Sequence, residues 1–232
     1  MDGFGGAYKA LVLGASGGIG AAFVEALRAD PACTSVLGLS RRKDGLEITD
    51  EGAVEQAARR VASELGSVEL VIDATGALTI DGHGPEKTIK AIDPAAMARQ
   101  FAVNAIGPAL LLKHIVPLMP ADRRAVFAAL SAKVGSIGDN KLGGWISYRA
   151  SKAALNQILR TASVEIGRTH RQAVVVALHP GSVVTPLTTG FGKSTEKKTP
   201  EQAVKEMLAV LDRLTPAETG SFRAYDGSVL PW

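Results

Sequence analysis

Cysteine is almost absent from this sequence of 232 residues, which contains only Cys33. A single cysteine excludes an intramolecular disulfide and a cysteine metal cluster. Residues 1–6 lack the basic start and the apolar run of a signal peptide. Together these features favour a reducing compartment, and we expect a cytoplasmic protein.

Long apolar runs are also missing, because no apolar stretch reaches the roughly 18 residues that a membrane span needs. Aromatic residues make up only 5% of the sequence, and Lys and Arg are spread along it. The basic block with interleaved aromatic residues that is typical of nucleic-acid binding is therefore absent. We expect neither nucleic acid nor a membrane as a partner, whereas the net charge of +3 suits an anionic cofactor.

A glycine-rich segment between an apolar strand and an amphipathic helix is the first functional motif. The predicted strand Tyr8–Leu13 leads into residues 14–20, and a helix is predicted over residues 21–29. Glycines let the backbone approach phosphate oxygens, and N–H groups at the helix start hold negative charge. The spacing Gly-x-x-x-Gly-x-Gly differs from the standard G-x-G-x-x-G. The predicted pyrophosphate site consists of Gly14, Ser16, Gly17, Gly18, Ile19 and Gly20.

The second predicted strand, residues 36–39, ends in Ser40-Arg41-Arg42. Sites that prefer NAD carry an acidic residue at this strand end, whereas basic residues accommodate the 2′-phosphate of NADP. We therefore predict NADP(H) in preference to NAD(H), bound by Arg41 and Arg42 with Ser40 as a further donor.

Two later segments are expected to contact the rest of the cofactor. Glu47 and Ile48 fall where a third strand would end, beside the adenine. The strand over residues 70–72 closes with Asp73 and three small residues, which would let the cofactor lie across the strand end. These three are Ala74, Thr75 and Gly76.

Tyr148 and Lys152 form the candidate catalytic pair. In a helix that starts near Trp145 they would be i and i+4 neighbours, roughly 5–6 Å apart at Cβ. A nearby ammonium favours the phenolate, so we expect Lys152 to lower the pKa of Tyr148. Such a phenol is a general acid/base for interconverting a carbonyl and an alcohol. The alternative is an ordinary amphipathic helix with one aromatic residue and one solvated lysine.

Asn104 is a polar residue within an apolar helix that Asp93 and Pro94 are predicted to start. It is either a structural amide or part of a helix kink that holds a water in a proton relay. The helix is apolar nearly all round, which indicates burial in the core and at a subunit contact. A later strand, residues 174–178, ends at His179, which is predicted to be structural. Residues 187–199 are expected to cover the substrate.

Taken in order, these motifs resemble the short-chain dehydrogenase/reductase family. Residues 136–140 and the ending, residues 226–232, are similar to its C-factor (C-signal) branch. The resemblance implies a single doubly wound Rossmann-type α/β domain over residues 1–232, with a parallel sheet of about seven strands and helices on both faces. Residues 1–105 would be the cofactor half and residues 106–232 the catalytic half. It also implies an active site of Asn104, Tyr148, Lys152 and a serine, and a segment that contacts the nicotinamide carboxamide. That segment contributes Pro180, Gly181, Val183 and Thr185.

The chain departs from the family at the catalytic serine. Alignment on Gly135 places Ala132 at the usual serine position and Ser131 one residue earlier. The hydroxyl comes from Ser131 or Ser136, or Tyr148 polarises the carbonyl alone. We favour Ser131.

The expected function is NADP(H)-dependent interconversion of a small-molecule carbonyl and its alcohol by hydride transfer. No metal is implied, and a homodimer or homotetramer is expected from the family. The competing hypothesis is a signalling or regulatory protein that keeps the cofactor pocket but has little activity. Ala132 and the resemblance to the C-factor branch motivate it. Neither the substrate nor the reaction direction can be derived from the residues.

Overall fold

The computed structural model describes residues 1–186 and 197–232. Strands and helices alternate along most of the chain. The strands are β1 (Tyr8–Leu13), β2 (Cys33–Leu39), β3 (Leu70–Asp73), β4 (Ala125–Leu130), β5 (Ala173–His179) and β6 (Ser221–Ala224). The helices are α1 (Gly18–Arg28), α2 (Arg41–Asp44), α3 (Glu51–Leu65), α4 (Pro94–Phe101), α5 (Gly107–Ile115), α6 (Ile146–Thr169) and α7 (Pro200–Arg213).

The strands form one parallel sheet in the order β2-β1-β3-β4-β5-β6. The order reverses direction between β1 and β3, so the helices that follow these two strands lie on opposite faces. The register pairs Leu13 with both Leu39 and Asp73, which places the carboxyl ends of three strands at one edge. Open α/β sheets bind their ligands at such a switch point.

The described sheet has six strands rather than the seven that we expected, and the missing strand is the one predicted to end at Glu47-Ile48. Helix α2 ends at Asp44, and Asp50 already caps α3 by accepting a hydrogen bond from the Gly52 N–H. The few residues between them turn back on α2 instead of extending. Leu46 and Ile48 are nevertheless buried in the core, where they occupy the space beside the sheet.

Apolar clusters cover both faces of the sheet, which is why its inner strands read as continuous apolar runs. In β4 the side chains of Ala125, Phe127 and Ala129 face the layer of α3, α5 and α6. Val126, Ala128 and Leu130 face the opposite layer, formed by α1 and α7. The two layers fix the positions from which α1 and α6 reach the carboxyl edge of the sheet.

Helices α4 and α5 join through a π-helical turn, Ala102–Ile106, into one long rod. Within the described residues, the rod Pro94–Leu118 is long and apolar enough to cross a membrane by length and composition alone. In the fold it packs against α6 and α3, which is the position of a core helix. The π turn contains Asn104, at the position where the sequence suggested a kink.

Candidate active site

The glycine-rich loop folds tightly onto the start of α1. Gly14 has a φ of +82°, and a Cβ at Gly20 would lie 2.2 Å from the Gly14 carbonyl oxygen. Gly17, at the N-cap position, contributes no side chain, so the first N–H groups of α1 face the loop. Ser16 is exposed beside them. The loop therefore fits a phosphate group, because no side chain caps the first N–H groups of α1 and the helix dipole favours negative charge there.

The end of β2 carries the predicted ribose-phosphate contacts. Arg41 and Arg42 are the first residues of α2, and both are exposed. Arg41 lies 3.8 Å from the Glu47 carboxylate. Ser40 is buried, and its hydroxyl donates to Asp44 Oδ2 at 3.0 Å. The two arginines thus face solvent at this strand end, whereas the predicted donor Ser40 is already hydrogen-bonded.

Beyond β3 the chain brings Gly76 into contact with two predicted active-site residues. A Cβ at Gly76 would lie 3.0 Å from Asn104 Oδ1 and 3.3 Å from Lys152 Nζ. Asp73 is fully buried and accepts hydrogen bonds from the N–H and hydroxyl of Thr75. Burial raises the pKa of the Asp73 carboxyl, although Thr75 and the Lys152 ammonium oppose the shift. The end of β3 is therefore in direct contact with the catalytic helix.

Asn104 is fully hydrogen-bonded inside the fold. Its Oδ1 accepts from the Ala77 N–H at 2.9 Å, and its Nδ2 donates to the Ala77 carbonyl and to Gln100 Oε1. The Ser151 hydroxyl lies 3.3 Å from the same nitrogen. The amide therefore joins α6, the π turn and the segment after β3, which is the structural role that the sequence left open.

Tyr148 and Lys152 lie on successive turns of α6, as their spacing predicts, and both are buried. Lys152 Nζ donates to the carbonyl of Leu130, the last residue of β4, at 2.9 Å. Burial lowers the pKa of Lys152 to about 8, and Asp73 opposes this shift. Burial raises the pKa of Tyr148 to about 12. Our expectation of a lowered Tyr148 pKa was wrong for this structure, because desolvation of the phenolate by burial determines the shift. Tyr148 consequently holds its proton at neutral pH.

The two candidate serines have other partners. The Ser131 hydroxyl donates to Asn156 Oδ1 at 2.6 Å. Asn156 lies about two helical turns after Tyr148 in α6. The Ser136 hydroxyl accepts from the Asp139 N–H at 3.1 Å and lies 3.4 Å from the Trp232 carbonyl. In the described part of the chain, neither hydroxyl is hydrogen-bonded to Tyr148. The Ser131 hydroxyl is therefore already hydrogen-bonded to α6, and its role in polarising a carbonyl stays a prediction.

The segment after β5 approaches the glycine loop. A Cβ at Gly18 would lie 3.2 Å from Thr185 Cγ2. Val183 pairs with Lys198 through backbone hydrogen bonds, so the two ends of the intervening segment meet. Burial is the main cause that lowers the pKa of His179 to about 4, which leaves the ring neutral at neutral pH. Residues 187–196 of the predicted cover over the substrate lie outside the described residues.

Sequence reasoning missed the long connection between β3 and α4, residues 74–93, which we call the β3–α4 linker. Its residues His83 and Glu86 line a small cavity together with Gln100, Ser147 and Tyr148. The only signal in the sequence is Gly84-Pro85 directly before Glu86, which marks a turn but not the place where it docks.

Comparisons with known proteins identify the family of this chain. The family model described as short chain dehydrogenase matches residues 8–196. A relative from Rhodococcus sp. (strain AD45), 1-hydroxy-2-glutathionyl-2-methyl-3-butene dehydrogenase, is 32% identical over 188 residues, which cover 81% of this chain and 79% of that protein. C-signal of Myxococcus xanthus is 36% identical over 141 residues, which cover 61% of this chain and 81% of that protein.

Among solved structures, the NADPH-bound carbonyl reductase from chicken fatty liver matches with a TM-score of 0.85 at 27% identity. The match covers 98% of this chain and 95% of that one. The family match, the dehydrogenase relative and the similarity to a carbonyl reductase structure show an NAD(P)-dependent oxidoreductase. The chain belongs to the short-chain dehydrogenase/reductase family, and its similarity to the C-signal branch is confirmed.

Proposed function

We propose that this oxidoreductase reduces small carbonyl compounds to alcohols with NADPH, using Tyr148 as the general acid. The observation that carries the proposal is the placement of Tyr148 and Lys152 on successive turns of α6, with Lys152 Nζ beside Gly76 and Asn104. The structural similarity to an NADPH-bound carbonyl reductase supports the same reaction class.

In this proposal the cofactor half, residues 1–105, holds the dinucleotide. The glycine loop and the start of α1 bind the pyrophosphate, Arg41 and Arg42 bind the 2′-phosphate, and residues 180–185 contact the nicotinamide end. When bound, the reduced nicotinamide supplies the hydride. The remaining chemistry belongs to side chains of the catalytic half, residues 106–232.

Tyr148 provides the proton that turns the forming alkoxide into an alcohol. Its raised pKa keeps the phenol protonated at neutral pH, which is the form that a proton donor requires. Lys152 places a positive charge one helical turn away, which stabilises the phenolate left behind. Because Ser131 is bonded to Asn156, we assign the polarisation of the carbonyl to the Tyr148 hydroxyl itself.

The proposal is tested by following NADPH oxidation with a panel of ketones and aldehydes. We expect turnover with at least one of them, and an alcohol product that retains the carbon skeleton. NADPH binding measured by calorimetry, without turnover of any carbonyl in the panel, would contradict the proposal. It would favour the signalling alternative instead. Cytoplasmic location and homo-oligomerisation stay predictions.

The cofactor preference leads to a separate prediction. Replacing Arg41 and Arg42 together by alanine should lower kcat/KM for NADPH about 10–100-fold, since a hydrogen bond to a charged group contributes about 1.5–3 kcal/mol. The kcat/KM for NADH should change little, because NADH lacks the 2′-phosphate. Arg59→Ala removes an exposed arginine on α3 and serves as the control. An equal loss for both cofactors would refute the assignment.

A further inference from the structure

The start of α6 is held by a carboxylate from a distant part of the chain. Glu86 Oε2 accepts a hydrogen bond from the Ser147 N–H at 3.1 Å, and Glu86 Oε1 accepts one from the Ser147 hydroxyl. The Glu86 carbonyl accepts from the Trp145 N–H at 2.5 Å. The first N–H groups of a helix have no partner within the helix, so Glu86 supplies partners from outside it.

The backbone that enters α6 is unusual. Trp145 has a φ of +55°, in the left-handed region that non-glycine residues rarely occupy. Such a conformation costs of order 1–3 kcal/mol and persists only where its surroundings hold it. Glu86 bonds to Trp145 and to Ser147, the residues on either side of the first helical position. The Trp145 and Tyr148 rings in turn form a T-shaped contact, with 6.3 Å between ring centroids.

The Glu86 side chain is ionised, and this charge is favourable at the N-terminus of α6. Burial acts to raise the pKa of Glu86, but the hydrogen bonds from Ser147 outweigh it, so the pKa lies below its ordinary value. The carboxylate is therefore ionised at neutral pH. A negative charge at the N-terminus of a helix is favoured by the helix dipole.

Glu86 also belongs to the wall of the cavity at Tyr148. His83, Gln100 and Ser147 line the same cavity, so the β3–α4 linker and the first turn of α6 enclose it together with Tyr148. A small displacement of the first turn of α6 would therefore move Tyr148 relative to whatever the cavity holds.

We propose that Glu86 is a positioning residue for Tyr148. It fixes the first turn of α6 so that the phenol meets the substrate carbonyl in a productive orientation. The inference rests on the proposed function of Tyr148, and it assigns Glu86 no contact with the reacting atoms.

The test compares four single variants, and the double variant Glu86→Ala/Ser147→Ala, with the wild-type chain. Glu86→Ala removes the side-chain bonds, Glu86→Gln keeps one oxygen that can accept from Ser147, and Ser147→Ala removes the hydroxyl. Glu218→Ala is the matched control, because Glu218 accepts from the N–H and hydroxyl of Thr215 in the same way, directly before β6. That position is at the opposite edge of the sheet from Tyr148.

We expect Glu86→Ala to lower kcat about 10²-fold, since displacement of a reacting group by about 1 Å can have that effect. The KM for NADPH should not change. Glu86→Gln should recover part of the loss, and Ser147→Ala in the Glu86→Ala background should add little to it. Glu218→Ala should lower Tm without lowering kcat. If Glu86→Ala lost no more kcat than Glu218→Ala, the proposal would be overturned.

Amide hydrogen exchange separates this proposal from the proposed function. Glu86→Ala should speed exchange across residues 145–152, whereas Glu218→Ala should not. A wild-type chain that reduces no carbonyl would overturn the proposed function, and the exchange result would still decide whether Glu86 holds α6. Unchanged exchange in this turn would overturn the positioning role even in an active enzyme.

Discussion

Replacing Tyr148 by phenylalanine is expected to lower kcat for carbonyl reduction by about 10²–10⁴-fold, the usual contribution of a general acid. The phenol is buried in α6 and holds its proton at neutral pH, so it is the donor placed beside Lys152. Phenylalanine keeps the ring, and with it the edge contact to Trp145. The affinity for NADPH and the fold should therefore be preserved, as measured by calorimetry and circular dichroism.

Tyr8 provides a matched control for that substitution. Its hydroxyl is buried at the start of β1 and donates to Asp30 Oδ2 at 2.8 Å, in the layer of α1 and α7. Tyr8→Phe should lower stability and leave kcat unchanged. If Tyr148→Phe retained wild-type turnover, or if the two variants lost activity equally, the catalytic assignment would fail.

The second large effect concerns Lys152 and pH. The pKa of Lys152 is about 8 in the folded chain, against an ordinary value of 10.5. Below pH 8 Lys152 is charged in both the folded and the unfolded chain. The free-energy cost of burying that charge then lowers stability in full. Between pH 8 and 10.5 the unfolded state binds more protons, so stability rises with pH. At about 1.36 kcal/mol per pKa unit, this difference in the pKa of Lys152 corresponds to about 3 kcal/mol of unfolding free energy.

The Lys152→Met variant should therefore lack this rise of stability with pH. The difference in unfolding free energy between the wild-type chain and Lys152→Met should change by about 3 kcal/mol in favour of the wild type from pH 7.5 to 11. Urea unfolding at several pH values measures it, and Lys90→Met, at an exposed position in the β3–α4 linker, is the control. Turnover of Lys152→Met should fall about 10²-fold or more below pH 8, where the wild-type lysine is charged, and the loss should shrink at higher pH. If the difference in unfolding free energy between the wild-type chain and Lys152→Met stayed constant from pH 7.5 to 11, the lowered pKa of Lys152 would be refuted.

The parts of the site that were predictable from the sequence depend on local spacing. The positions of Tyr148 and Lys152 on one helix follow from their separation, and the glycine loop follows from its place between a strand and a helix. Asp93 was identifiable as a cap because it precedes Pro94, and in the structure its carboxylate accepts from the Ala96 N–H. Each of these features is determined by residues within a few positions of one another.

The features that escaped prediction depend on contacts between distant segments. The sequence does not show that the Ser131 hydroxyl bonds to Asn156, that the buried Ser40 hydroxyl bonds to Asp44, or that Glu86 bonds to Ser147. The seventh strand was expected from the resemblance to the family, but the connection from α2 to Asp50 is too short to contain it. The raised pKa of Tyr148 likewise depends on burial in the folded chain. The spacing of Tyr148 and Lys152 alone does not show that burial.

The bond from Glu86 to Ser147 joins residues 61 positions apart, and the contact of Asn104 with Ser151 spans 47. Closing loops of this length costs chain entropy before any contact compensates for it. The region around Tyr148 should therefore become ordered late in folding, after the β1–α1–β2 unit, whose strands pair residues such as Tyr8 and Cys33 that are closer in sequence. A nascent or partly refolded chain would recognise nucleotide before it could turn over substrate.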